Sequence, residues 1–214
     1  YYFFSYFKVT NKEEKINFSV PTGNFGDVYS GYIAKKMGLP IDKLIVATNQ
    51  NDILKRVINT GVYEPKKVKH TISPSMDIQV ASNFERLIFD ICSLNSNRTK
   101  KLMEDLNKKN GFELEKDEIN KIRKDFYSES VSDNETKLII NKIYKEEKIH
   151  IDPHTAVGIG AIKKLTLENN AVVLATAHPS KFFEIVQEQT NKKPELPEDL
   201  KNLLTKEEKY EILS

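Results

Sequence analysis

The 214-residue sequence predicts an α/β domain: a mostly parallel sheet flanked by helices, with a charged helical insertion. Three observations predict it. Two short apolar runs, Ile16-Asn17-Phe18-Ser19-Val20 and Leu44-Ile45-Val46-Ala47-Thr48, are each followed by a turn and a helical pattern. A third run, Ala171-Val172-Val173-Leu174-Ala175, follows an apolar helical stretch late in the chain. Between them, over residues 93–149, Lys, Glu, Asp and Asn dominate and Pro is absent.

The opening Tyr1-Tyr2-Phe3-Phe4-Ser5-Tyr6-Phe7 places six aromatics in seven positions. It lacks the basic segment, long apolar run and small-residue cleavage site of a signal peptide. It reads instead as the inside of a helix or strand whose earlier part is missing. The first apolar run is a strand that feeds Pro21-Thr22-Gly23-Asn24-Phe25-Gly26-Asp27. Val28, Ile33, Ala34 and Met37 then recur at helical spacing until Gly38-Leu39-Pro40 stops the helix. The second run is a buried parallel strand, followed by a turn at residues 49–51 and a short helix at 52–59 closed by Gly61. Right-handed crossovers put the ends of both strands on one sheet edge, where open α/β folds bind ligands.

In the charged segment Leu102, Leu106, Ile119, Ile122, Phe126, Leu138, Ile139 and Ile143 recur at spacings of three, four and seven, which predicts solvated amphipathic helices. Beyond it come a helix at about residues 154–168, the third strand, and a loop at 176–180. Pro194 and Pro197 introduce a linker and a surface helix. The expected division is therefore 1–92 and 150–190 for the α/β part, 93–149 for the insertion and 191–214 for the tail.

Composition narrows the function. With 33 Lys and Arg against 31 Asp and Glu, the net charge of +2 gives no field to recruit nucleic acid or an acidic membrane, so an anion must be bound locally. Acidic residues interleave the lysines and no aromatic stripe accompanies them, against a nucleic-acid helix. No run of about 18 apolar residues is present to cross a bilayer. A lone Cys92, read as a core residue, and four scattered histidines exclude a disulfide framework and argue against a zinc site, so no metal is expected and the setting is read as cytoplasmic.

The chemistry concentrates at Gly23-Asn24-Phe25-Gly26, a glycine turn at a helix start. Such a turn offers several backbone N–H groups to one anion. The helix dipole contributes about 0.3–1 kcal/mol, and each hydrogen bond to a charged group roughly 1.5–3 kcal/mol. These suffice for a phosphate without Lys or Arg, and the loop contains neither. Its spacing matches neither the Walker pattern nor the three-glycine dinucleotide fingerprint. Read alone, it serves equally as a phosphate cradle or as a plain turn.

Residues 20–27, Val20-Pro21-Thr22-Gly23-Asn24-Phe25-Gly26-Asp27, resemble the pyridoxal-phosphate loop of the threonine synthase family, of fold type II. The resemblance extends to Lys36-Met37-Gly38-Leu39-Pro40-Ile41, Leu44-Ile45-Val46-Ala47-Thr48-Asn49, Ser73-Pro74-Ser75-Met76-Asp77-Ile78, Ser82-Asn83-Phe84-Glu85-Arg86, Asp152-Pro153-His154-Thr155-Ala156 and Ala175-Thr176-Ala177-His178-Pro179-Ser180-Lys181-Phe182. It is collinear from Tyr1 to about Phe183, loose between Ser93 and Glu147, and nearly absent after Thr190. It implies that Gly23, Asn24, Phe25, Gly26 and Asp27 surround the phosphate of pyridoxal 5′-phosphate, and that the Thr176 hydroxyl faces the pyridine nitrogen. A neutral hydroxyl suits an unprotonated ring nitrogen; a strand-end Thr capping the next helix is the plain alternative.

Asp27 sits awkwardly there. At about 5 Å and an effective dielectric near 20, each unit charge on the phosphate repels it by about 3 kcal/mol. Its carboxylate is therefore expected to turn away and cap backbone N–H groups. His154, His178 and Lys181 fall at the same sheet edge, and with Asn83, at the opening of a helix within reach of the cleft, they are the substrate-side candidates, Lys181 toward a substrate phosphate. Each also has a plain structural reading.

The resemblance also implies the reaction: O-phospho-L-homoserine and water give L-threonine and phosphate. It places the Schiff-base lysine in a Phe-Lys-Asp context well upstream of the phosphate loop. Phe7-Lys8-Val9, the one Phe-Lys pair, lies on the wrong side of that alignment and is followed by Val. No catalytic residue is therefore assigned within this chain, which is expected to need a missing N-terminal part of the same enzyme. The alternatives are a related phospho-lyase releasing a 2-keto acid, a non-catalytic module that binds phosphate or pyridoxal phosphate, and a purely structural interaction domain.

Overall fold

The computed structural model describes residues 1–10, 14–202 and 206–212. The central sheet has four parallel strands in the order β5-β2-β1-β6: β1 Ile16–Pro21, β2 Ile41–Thr48, β5 Phe126–Ser130 and β6 Ala171–Val173. The expected α/β class, a mostly parallel sheet flanked by helices, is what forms. β1 is buried along its whole length. That explains an apolar strand whose two polar members are satisfied within the fold: Ser19 Oγ donates to Gly158 O at 2.8 Å and Asn17 Nδ2 to Asn169 O at 2.8 Å.

Two helices lead into the sheet from one side. The aromatic opening forms α1, Tyr2–Val9, and the glycine turn begins α2, Gly26–Lys36. α3, Ile53–Thr60, ends at Gly61, whose φ of +84° is the left-handed conformation that glycine adopts freely. Leu44 and Val46 face the larger core, with Phe18, Val20, Phe25 and Leu87, while Ile45 and Ala47 face the other with Ala156, Val157 and Ala161. A short antiparallel pair, β3 Val62–Tyr63 and β4 Phe112–Glu113, lies apart from the main sheet.

The charged segment departs from expectation. It does contain helices, α5 Ser96–Lys109, α6 Lys116–Asp125 and α7 Asp133–Glu147, following α4 Phe84–Ile91. It also supplies β4 and β5, and Phe126, read as a helical position, begins β5. β5 pairs only with β2, so as an edge strand it needs no apolar alternation on both faces, and Phe-Tyr-Ser-Glu-Ser passes as polar. Leu102 and Ile122 form the buried faces of α5 and α6 and join Phe126 in the larger core.

α8, Pro153–Lys163, is shorter than expected and rich in small residues. A Cβ on Gly158 would stand 2.7 Å from Val173 Cγ1, so the helix lies directly on the sheet. After β6 come α9, Phe183–Thr190, and the tail. The surface helix expected in the tail is, among the described residues, one 3₁₀ turn at Glu198–Leu200, and residues 203–205 and 213–214 lie outside them.

Candidate functional site

β1, β2 and β6 are parallel and in register, so their C-terminal ends share one edge. The chain leaves that edge in tied segments: Thr22 N donates to Ala47 O at 2.8 Å, Leu174 N to Ser19 O at 3.0 Å and Val131 N to Thr48 O at 2.9 Å. The glycine turn and the loop carrying Thr176 therefore emerge side by side.

The turn is built around a left-handed aromatic. Phe25 has φ +70° and ψ +5°, a conformation that costs a non-glycine residue about 1–2 kcal/mol. Its ring is fully buried, 5.1 Å from the Phe84 ring and 5.7 Å from that of Phe126. Burial of one large ring offsets the strain and fixes the bend. Gly23 faces the 3₁₀ turn Pro74–Met76: a Cβ there would stand 2.7 Å from Ser75 O. Asn83 N donates to Asn24 O at 3.0 Å, and the Asn83 side chain lies 3.3 Å from where a Gly26 Cβ would be.

The donors of this turn are mostly open. The Gly26 amide is taken by Asn24 Oδ1 at 3.0 Å. Among the described residues, the amides of Gly23, Asn24, Phe25, Asp27 and Val28 meet no acceptor within the protein. The first turn of any helix leaves such donors; here they are joined by those of the preceding left-handed bend.

Asp27 finds a partner other than the expected backbone N–H groups. The Tyr2 hydroxyl lies 2.9 Å from Asp27 O and 3.2 Å from Asp27 Oδ1, so a phenol and not a backbone N–H caps the carboxylate. Burial raises the Asp27 carboxyl above the usual range, against the lowering effect of the Tyr2 hydrogen bond. Burial, reinforced by the Asp27 charge, also pushes the Tyr2 phenol up, which keeps it a donor. Asp27 and Thr176 line one cleft of ≈ 360 Å³ with Tyr1, Ser5 and residues 172–175.

The remaining candidates are dispersed. His154 is buried, its Nδ1 2.9 Å from Asp152 Oδ1, its Nε2 without a partner and its ring 4.9 Å from that of Phe182. A Cβ on Gly158 would stand 3.4 Å from Pro21 Cγ, which sets this part of α8 against the end of β1, with His154 one helical turn earlier on the same helix. His178 is exposed and accepts from Ser180 N at 3.2 Å, capping its own 3₁₀ turn. It lines a separate cleft with His150 and Lys192. Lys181, also exposed, lines another with Ile72 and Phe182.

Sequence reasoning gave no role to a network behind the turn. Asn49 Nδ2 lies 2.8 Å from both Thr71 Oγ1 and Asp77 Oδ1, and Asn51 Nδ2 donates to Asp77 Oδ1 at 3.0 Å. Asp77 Oδ2 accepts from Thr71 N at 2.9 Å. These bonds hold the Pro74–Met76 turn against Gly23. Two asparagines just past a strand, followed by an Asp in the next loop, were the available signal. Among the described residues no cluster of His, Cys, Asp and Glu is arranged to hold a metal, and no helix is long and apolar enough to cross a membrane.

Fold and site together define an α/β domain whose central parallel strand ends in a glycine turn of open backbone amides. A family model described as threonine synthase, C-terminal, matches residues 155–214. The chain is 43% identical to threonine synthase of Saccharomyces cerevisiae, aligned over 100% of its own length and 47% of that protein. It is 40% identical to the Pseudomonas aeruginosa enzyme, over 100% of the chain and 46% of the relative. The crystal structure of a PLP-bound threonine synthase from Brucella melitensis superposes with a TM-score of 0.95 at 40% identity, over 100% of this chain and 46% of that one. The chain is a homologue of the threonine synthases and spans about half the length of the curated relatives it matches.

Proposed function

We propose that the protein is a pyridoxal-phosphate-dependent threonine synthase, converting O-phospho-L-homoserine and water into L-threonine and phosphate. The observation that carries this reading is the left-handed turn with open amides at the start of α2, in a fold shared with a PLP-bound relative. The donor set fits a phosphate ester: neutral amides at a helix N-terminus, no cationic side chain in the loop, and glycine at both ends. The amides of Gly23, Asn24, Phe25 and Asp27 hold the phosphate, and Gly26 keeps the approach open. Thr176 donates its hydroxyl to the pyridine nitrogen from the adjacent loop. Bound there, pyridoxal phosphate would supply an electron sink for the electron pair left on carbon when a proton is removed.

This chain's own residues bind and orient. The Asn49, Asn51 and Asp77 network sets the position of the loop behind Gly23, and Phe25 anchors the bend from the core. Asn83, beside Gly26, and the buried His154 are the nearer substrate-side candidates, with the exposed His178 and Lys181 in clefts of their own. The lone buried Cys92 and the near-neutral charge fit a cytoplasmic enzyme acting on a small molecule. Incubating the full-length protein with O-phosphohomoserine and pyridoxal phosphate tests the reading: threonine and phosphate are expected in equal amounts. Ketobutyrate without threonine selects the phospho-lyase, and no binding of pyridoxal phosphate removes the enzyme reading altogether.

A further inference from the structure

α1 reaches Asp27 of the candidate site through the Tyr2 side chain. The Tyr2 ring is wedged between Gly31 of α2 and Phe18 of β1: a Cβ on Gly31 would stand 2.6 Å from Tyr2 Cε1 and Cζ, and the Tyr2 and Phe18 ring centroids are 5.0 Å apart. The ring is 3% exposed. With its axis fixed on both sides, the hydroxyl has one place to go, and its single proton is shared between the Asp27 carbonyl and carboxylate.

That arrangement resolves an electrostatic conflict in the turn. A carboxylate beside amides that serve an anion harms binding in two ways: it repels the anion, and when free to rotate it competes for the same N–H groups. Glycine at position 31 matters here, because a Cβ there would lie 2.6 Å from the Tyr2 ring and force the ring or its neighbours to shift. We propose that Tyr2 is a positioning residue for the anion cradle, holding the Asp27 carboxylate away from the amides at the start of α2. The inference rests on the phosphate-binding reading above. It assigns to α1 a role in ligand affinity, although Tyr2 does not touch the phosphate.

The test uses the full-length protein and two probes, pyridoxal phosphate followed by its absorbance and inorganic phosphate as its competitor. Tyr2→Phe keeps the ring and its packing but removes the proton. It is expected to weaken both probes by about ten- to a hundredfold, the equivalent of one hydrogen bond to a charged group. Adding Asp27→Asn to Tyr2→Phe is expected to restore affinity to at least the wild-type level, because the charge needing restraint is gone. Asp27→Asn alone is expected to bind phosphate severalfold tighter, and it keeps the test decisive should Tyr2→Phe fold poorly. Unchanged affinity in Tyr2→Phe overturns the proposal, as does equal weakening in Tyr2→Phe and the double variant, which marks a packing role. Weaker binding in Asp27→Asn alone overturns it too. If the wild-type protein binds neither probe, the phosphate reading itself fails, and this inference falls with it.

Discussion

Phe25 ties the geometry of the turn to the core, and substitution there has an order that ordinary helix preference reverses. Removing a fully buried ring packed on Phe84 and Phe126 costs about 3–5 kcal/mol, whichever small residue replaces it. The backbone separates the replacements. At φ +70° alanine retains a strain of about 1–2 kcal/mol that glycine does not. Phe25→Gly should therefore be more stable than Phe25→Ala by about 1 kcal/mol, whereas glycine falls below alanine by about 1 kcal/mol inside a helix. Urea denaturation of the full-length protein reads the difference as a midpoint shift of roughly 0.5 M for a slope near 2 kcal/mol/M. Glycine should also retain more affinity for pyridoxal phosphate. Alanine equal to or above glycine would refute the left-handed turn as the source of the site's shape.

Three further outcomes are expected. Arg98 holds Glu118 by two bonds of 2.9 Å, and this, helped by the Glu115 amide, depresses the Glu118 carboxyl to about 2. A depressed carboxylate stabilises the fold above its unfolded value and loses that contribution as pH falls. Stability should thus drop by roughly 2 kcal/mol between about pH 4.5 and pH 2, and Glu118→Gln should flatten that portion of an acid titration followed by circular dichroism. Gly31→Ala should lower stability by about 1–2 kcal/mol, because overpacking against Tyr2 and Leu44 outweighs the gain in helix preference, and thermal denaturation measures it. Asn49→Ala leaves the half-buried Asp77 network short of a donor, so limited proteolysis should cut residues 64–80 faster while the sheet stays intact.

Much of this architecture was legible because local pattern and global fold agree. The runs at Ile16 and Leu44 are apolar because both faces of those strands are covered, and Gly23 and Gly26 stand where the backbone must bend closely past its neighbours. What was not legible depends on contacts distant in sequence. β5 hides in a charged segment because its partner, β2, lies some eighty residues earlier, as the Ser128 to Val46 hydrogen bond shows with its separation of 82. The Asp27 partner was misjudged for the same reason: nothing in the local helix start announces a tyrosine 25 residues upstream. The Asn49 network likewise closes over separations of 22 and 28 residues, so the strand-end asparagines read only as a turn.

The neighbour relations in the sheet have a consequence for biosynthesis. β1 acquires its second partner only when β6 arrives, and Asn17 bonds to a residue 152 positions later. At roughly 5–20 residues per second, a ribosome needs about 8–30 s to deliver that partner. During this interval one of the most apolar strands of the nascent polypeptide presents an unzipped flank, making it a natural client for chaperones that shield extended segments.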